Sequence, residues 1–268
     1  MNALTKILIA GAAILGVPTA AAAQEIDVET IVHNASAQAY YQGENGRARA
    51  RMTIVDSQDR DRIREFTILR TDVGNEDNGD QKFFVLFSRP ADVNGTSFLV
   101  WKNTQSDDDR WLYLPALDLV RRIAASDERT SFVGSHFFYE DISGRSPVED
   151  DHELVETTDL YFVVESRPRD PGAAEFVRYR SYIHRESFVP VRIDYYDADD
   201  TVYRSYNALE VETHDGYPTV IASEIVDSRT GGRTLLRFED VSYDIDLPEG
   251  VFQERYLRNP PRALLGQQ

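Results

Sequence analysis

From Arg47 the chain alternates. Ala48, Ala50, Met52 and Ile54 interleave with Arg47, Arg49, Arg51 and Thr53. A period of two with one apolar and one polar row predicts a half-buried strand. Ser57 to Arg60 reads as a turn and Ile63 to Arg70 as the returning strand. Asn75 to Asp80 is a polar loop. Short strands continue over 83–88, 97–102, 110–114 and 119–124. Ser131 to Ile142 breaks the pattern: it is aromatic-rich, holds Gly134 and reads as a loop with a helical turn. After a polar stretch around Glu149 to His152, strands resume over 159–166, 175–185, 189–196, 201–213, 219–227 and 233–243. Asp197 to Asp200 and Thr230 to Gly232 serve as hairpin turns. Ahead of all this, Val28, Ile31, Val32, Ala35 and Ala39 share a face at helical spacing, with Asp27 placed to cap the helix. The pattern predicts a mainly β protein: about 11 antiparallel strands in meander order, strongly curved or forming an incomplete barrel.

The first residues read differently. A basic start, Met1 to Lys6, precedes the apolar run Ile7 to Val17, and Ala20 to Ala23 precede Gln24. This predicts a signal peptide over residues 1–23, cut after Ala23, and a periplasmic location. The apolar run is shorter than the roughly 20 residues that span a bilayer, which weighs against a retained anchor. No cysteine stands at the cut, so a lipid-anchored form is not expected. Residues 24–268 are expected to form one domain, since no linker or repeat divides them. An outer-membrane barrel is disfavoured. Several strands are shorter than the 9–11 or so residues needed to cross, and apolar-in, polar-out alternation explains the rest.

Composition narrows the chemistry. The net charge is -17, which repels nucleic acid. The absence of cysteine excludes thiolate metal sites and cysteine nucleophiles. The histidines, His33, His136, His152, His184 and His214, lack metal-ligand spacing, so no metal is expected. Gly134-Ser135-His136 does not match a nucleophile elbow, no glycine-rich phosphate loop is present, and no cofactor is expected. The acidic runs Asp107 to Asp109 and Asp150-Asp151 read as solvated turns. The Arg47, Arg49, Arg51 row reads as a solvated face, with docking to an acidic partner as the alternative.

What stands out is apolar. Lys82 to Phe87 is nearly unbroken, Trp101 and Trp111 flank the acidic loop, and Phe132, Phe137, Phe138 and Tyr139 crowd one non-strand segment. For each residue alone, core packing is the plain reading. Together they suit a curved sheet whose concave face is covered incompletely, leaving apolar space for an acyl chain.

Three stretches carry a resemblance. Phe87 to Leu99 contains Pro90-x-Asp92-x-x-Gly95-Thr96-x-Phe98-Leu99. Trp111-x-Tyr113-Leu114-Pro115 follows, then Phe132-x-Gly134-Ser135-x-Phe137-x-Tyr139-Glu140-Asp141. In order and spacing they resemble the outer-membrane lipoprotein-sorting proteins of the LolA/LolB superfamily, in which Asp often stands where this chain has His136. The resemblance implies an incomplete β-barrel closed by helices and a lid over a hydrophobic cavity. It also implies a non-enzymatic periplasmic carrier of the acyl chains of lipoproteins or lipids. The partners implied are an inner-membrane exporter and an outer-membrane acceptor. The alternative is an accessory subunit of an RND-type envelope lipid exporter; a third reading is an enzyme whose site is scattered over the strands. Phe132, Phe137, Phe138 and Tyr139 are the candidate lid. Phe84, Leu86, Phe98, Val100, Trp111 and Tyr113 are the candidate walls, with the parity of each strand left open. In the founding carrier an arginine pins the lid; the sequence alone does not single out its counterpart here.

Overall fold

In the computed structural model, described over residues 26–74, 76–124 and 127–261, thirteen antiparallel strands form one sheet. The predicted export signal lies outside the described residues. Six strands form a first meander: β1 (Asn45–Val55), β2 (Asp61–Asp72), β3 (Gln81–Arg89), β4 (Ser97–Lys102), β5 (Asp109–Leu114) and β6 (Leu119–Ile123). Seven form a second: β7 (Asp150–Thr157), β8 (Tyr161–Pro168), β9 (Arg178–His184), β10 (Pro190–Tyr196), β11 (Val202–His214), β12 (Tyr217–Asp227) and β13 (Gly232–Tyr243). The two meanders join where β1 pairs with β13, which leaves β6 and β7 as the edges. The sheet is not closed. Because its edges are consecutive in the chain, the link between them, described over residues 127–149, crosses the opening. The mainly β, incomplete-barrel expectation holds, with 13 strands against about 11.

The strand that sequence reasoning missed is β7. It is an edge strand, mostly exposed or half-buried along its length, so Asp150 to Thr157 carries no apolar row. A single side chain, Asp150, is fully buried there.

The N-terminal helix α1 (Val28–Tyr40) starts where Asp27 accepts a hydrogen bond from Thr30 N at 2.7 Å. Ile31 and Ala35 are buried against Phe162, Val164 and Ile183 of β8 and β9, with Val28 and Val32 beside them. Its last turn is held from the sheet. Arg70 donates to the carbonyls of Tyr40 (3.2 Å) and Gly43 (2.7 Å), and Gln81 donates to Tyr40 O at 2.9 Å. These donors meet carbonyls that have no partner within the helix, at its negative dipole end. Among the described residues, no helix is long and apolar enough to cross a membrane.

Alternation sets the two faces. Ala50, Met52 and Ile54 of β1 point into the main core with Phe66, Phe83, Val85, Phe87, Phe98 and Val100. Arg49 and Arg51 face out and pair with Asp240 (2.7 Å) and Glu65 (3.0 Å), so these two solvated arginines meet carboxylates of neighbouring strands. The far side of β2 to β5 is buried as well. Leu69, Phe84, Leu86, Leu99 and Trp111 pack under Val251, Phe252 and Leu257 of the C-terminal segment, which ends in a short helix, α3 (Arg255–Arg258). Trp101 Nε1 donates to Phe252 O (2.8 Å) and Ser97 Oγ to Leu257 O (2.7 Å), fixing that strap.

Candidate functional site

The link across the opening is the lid. Residues 131–138 fold back on themselves, with Phe132 N donating to Phe137 O at 2.7 Å and the turn made by Val133 and Gly134 at positive φ. A short helix, α2 (Glu140–Ser143), follows. Phe132 is fully buried, its ring 5.5 Å from those of Phe98 and Tyr139 and 5.7 Å from Phe87.

Polar groups hold the lid at several points. Arg204 on β11, only 2 % exposed, forms an ion pair with Asp141 and donates to His136 O at 3.3 Å. Its guanidinium lies 4.2 Å from the centre of the Phe138 ring. Asp141 in turn accepts from Phe138 N at 2.6 Å. Burial works against the Arg204 charge, but Asp141 beside it holds the pKa above the ordinary arginine value. His136 N donates to Thr234 Oγ1 on β13 at 3.0 Å, and its Nδ1 lies 2.8 Å from the same oxygen. The position thus has a polar role. Burial lowers the imidazole pKa.

A belt of ion pairs closes the rest of the gap. Arg110 of β5 meets Asp108 and Glu128, both at 2.7 Å; Arg129 meets Glu128 (2.8 Å) and Glu140 (3.2 Å). Arg145 then meets Glu140 (3.2 Å) and Asp150 of β7 (2.9 Å), and Tyr179 Oη donates to Asp150 at 2.7 Å. The belt therefore runs from one edge region of the sheet to the other through the lid.

Lys102 of β4 ties the lid to α1. Its Nζ donates to Ser143 O, the end of α2, at 2.8 Å and lies 5.4 and 5.2 Å from the ring centres of Tyr40 and Tyr41. Gly144 makes room: its φ is +76°, and a Cβ there would stand 2.5 Å from the Tyr40 ring. Burial lowers the Lys102 pKa to about 8, with Asp108, Glu149 and Glu140 pulling it back up and Arg110 pushing it down. In the unfolded chain it titrates near 10.4. Between those values the unfolded state binds more protons, so this group makes stability rise with pH. Urea unfolding at pH 7, 8.5 and 10 is expected to show the protein gaining on a Lys102→Met variant, by at most about 1.4 kcal/mol per pH unit. A constant gap would refute the reading.

Between lid and sheet a cavity of about 300 Å³ remains. Phe66, Ile68 and Phe83 of β2 and β3, with Leu236 and Phe238 of β13, form its apolar side. Ile193 and Tyr195 of β10, Tyr206 of β11 and Ser223 of β12 form the other. Phe137, Asp141 and Ile142 of the lid and Tyr40 of α1 also line it. At one end Gln38 of α1 and Gln42, just past the helix, both donate to Pro218 O on the β11–β12 hairpin, the former at 2.7 Å.

Of the residues expected at the site, Phe137 lines this cavity. Phe98 and Val100 lie in the main core on the lid side of the sheet, covered by the lid's own Phe132 and Tyr139. Phe138 stacks on Arg204. Phe84, Leu86, Trp111 and Tyr113 point to the opposite face, under the C-terminal strap. As cavity walls these four are corrected: with both faces of β3 to β5 buried, an unbroken apolar run carries no parity signal. The wall residues Phe83, Tyr195, Tyr206 and Phe238, and the pinning Arg204, were missed. An arginine at an inward position of a strand was the signal available for Arg204. Among the described residues, no cluster of three or more His, Asp or Glu could hold a metal ion.

Comparison with known proteins follows the same lines. A crystal structure of a DUF1329 family protein from Desulfovibrio piger superimposes with a TM-score of 0.77 at 29% identity, over 85% of this chain and 96% of that one. A domain from Vibrio parahaemolyticus, described as an outer membrane lipoprotein-sorting protein, gives 0.77 at 24% identity, over 86% and 97%. The LolA superfamily protein NE2245 from Nitrosomonas europaea gives 0.65 at 16% identity, over 86% and 99%. At the last two identities the likeness concerns the fold. No curated protein matches the chain. A family model described as "-like: Uncharacterized protein" matches residues 79–259. The chain belongs to that family, and its fold is the one shared by the LolA superfamily and the outer membrane lipoprotein-sorting proteins.

Proposed function

We propose that the protein is a periplasmic, non-enzymatic carrier that shelters an acyl chain of a lipoprotein or lipid on its way toward the outer membrane. One observation carries this reading: an apolar cavity is left open beneath a lid that is itself pinned by buried ion pairs. A cavity of about 150 Å³ holds one benzene, so 300 Å³ suits roughly a dozen carbon atoms, a single chain. Ten buried methylenes supply about 8 kcal/mol. Association costs at least about 4 kcal/mol of this. The margin left, about 4 kcal/mol or less, keeps a bound chain releasable.

Native mass spectrometry of protein purified from its own periplasm tests the reading. A lipid adduct is expected. Ala48 of β1 lines the cavity, so Ala48→Phe fills part of the space where the chain would lie. That variant is expected to keep its circular-dichroism spectrum and to retain at least tenfold less lipid. A consistently empty wild-type protein that binds an exporter's periplasmic domain would refute carriage and favour the accessory role.

A further inference from the structure

The tyrosines of the cavity are the unexplained part of its lining. Phe66, Phe83 and Phe238 line one side with Arg47 and Arg70 at the same wall, and on the other Tyr206 and Tyr195, with Tyr40 from α1, stand among Val220, Ile225 and Ile193. A cavity built for hydrocarbon alone has no use for phenols, because an O–H donor without a partner in apolar surroundings costs about 1–3 kcal/mol. Ser223 lies beside the Tyr206 hydroxyl and works against the rise in pKa that burial causes there. Among the described residues, the hydroxyls of Tyr40 and Tyr195 have no hydrogen-bond partner in the protein. Both residues line the same space. Burial pushes both phenol pKa values up, so each stays a neutral donor through the physiological range.

We infer that the cavity takes an apolar chain bearing a hydrogen-bond-accepting oxygen, a carbonyl or ester, and that Tyr40 and Tyr195 donate to that oxygen. The hydrocarbon then lies along Phe66, Phe83 and Phe238, and the oxygen turns toward β10. This rests on the carrier reading and goes beyond it by giving the ligand a polar group inside the protein. Specificity follows from the same groups. A cavity that only excluded water would accept any chain of the right volume; one with two donors prefers a chain whose oxygen falls within their reach.

Displacement of the neutral fluorescent probe 1-N-phenylnaphthylamine from the full-length mature protein tests it, with 2-undecanone and undecane as competitors. Comparing variants for one ligand cancels the ligand's own desolvation. The double substitution Tyr40→Phe/Tyr195→Phe keeps both rings and removes both donors. It is expected to weaken 2-undecanone about tenfold, equal to about 1.4 kcal/mol, and to leave undecane unchanged. Equal changes for the two competitors, or no change for either, would overturn the donor assignment while carriage stands. Failure of the wild-type protein to take up the probe and both competitors would overturn carriage and this inference together.

Discussion

Replacing Arg204 with alanine is expected to lower folding stability by about 3–5 kcal/mol, because one half of a buried ion pair is left without the other. Arg204 is 2 % exposed, and Asp141, its partner, accepts one further hydrogen bond, from Phe138 N. Once the guanidinium is gone the carboxyl must either stay charged in a poorly solvated place or take up a proton. The stem and the contact with the Phe138 ring are lost as well. Set against a typical total of about 5–15 kcal/mol, the variant stays folded but with much less in reserve. The urea midpoint measures this. The double variant Arg204→Met/Asp141→Asn separates the charge from the packing. Met keeps most of the volume, and Asn still accepts from Phe138 N. Most of the loss should be recovered, since a buried pair is often replaceable by uncharged groups of similar size. A single variant within 1 kcal/mol of the wild type would show that Arg204 does not hold the lid.

The reach of the sequence follows from what each residue faces. Where one side of the sheet meets water, alternation separates the faces: Arg49 and Arg51 of β1 point out as expected, whereas Arg47, beyond a register shift in the pairing with β13, lines the cavity. Where both sides are covered, over β3 to β5, the run from Phe83 to Phe87 offered no parity, and four of the six proposed wall residues fell on the face away from the cavity. The C-terminal strap that covers that face lies more than 100 residues further along, so its contact is non-local. β7 escaped notice because an edge strand needs no apolar row. The lid was legible as a break in the strand pattern crowded with aromatics, and the chain does cross the opening there. Its locks were not legible. Arg204 and Asp141 stand 63 positions apart, and Lys102 and Ser143 stand 41 apart. Tyr40, Tyr195 and Tyr206 meet only because the sheet and α1 bring them together.

Phe132→Ala and Phe84→Ala form a pair whose stability losses should match and whose functional losses should not. Both side chains are fully buried phenylalanines, and truncation of such a residue costs about 3–5 kcal/mol. Phe84 packs under the C-terminal strap, on the side of the sheet away from the cavity. Phe132 is the lid's anchor, ringed by Phe66, Phe87, Phe98 and Tyr139. Losing it removes the apolar hold on residues 131–138 while the polar locks at Arg204 and Thr234 remain. Under conditions where both variants stay folded, Phe132→Ala is expected to speed amide exchange across the lid and to change ligand uptake. Phe84→Ala is expected to leave both as in the wild type. The matched cost matters to the comparison, since a general loss of stability would reach the cavity in either variant. Equal loss of uptake in both, or unchanged exchange in residues 131–143 of the Phe132 variant, would mean that the segment is ordinary core and not a lid.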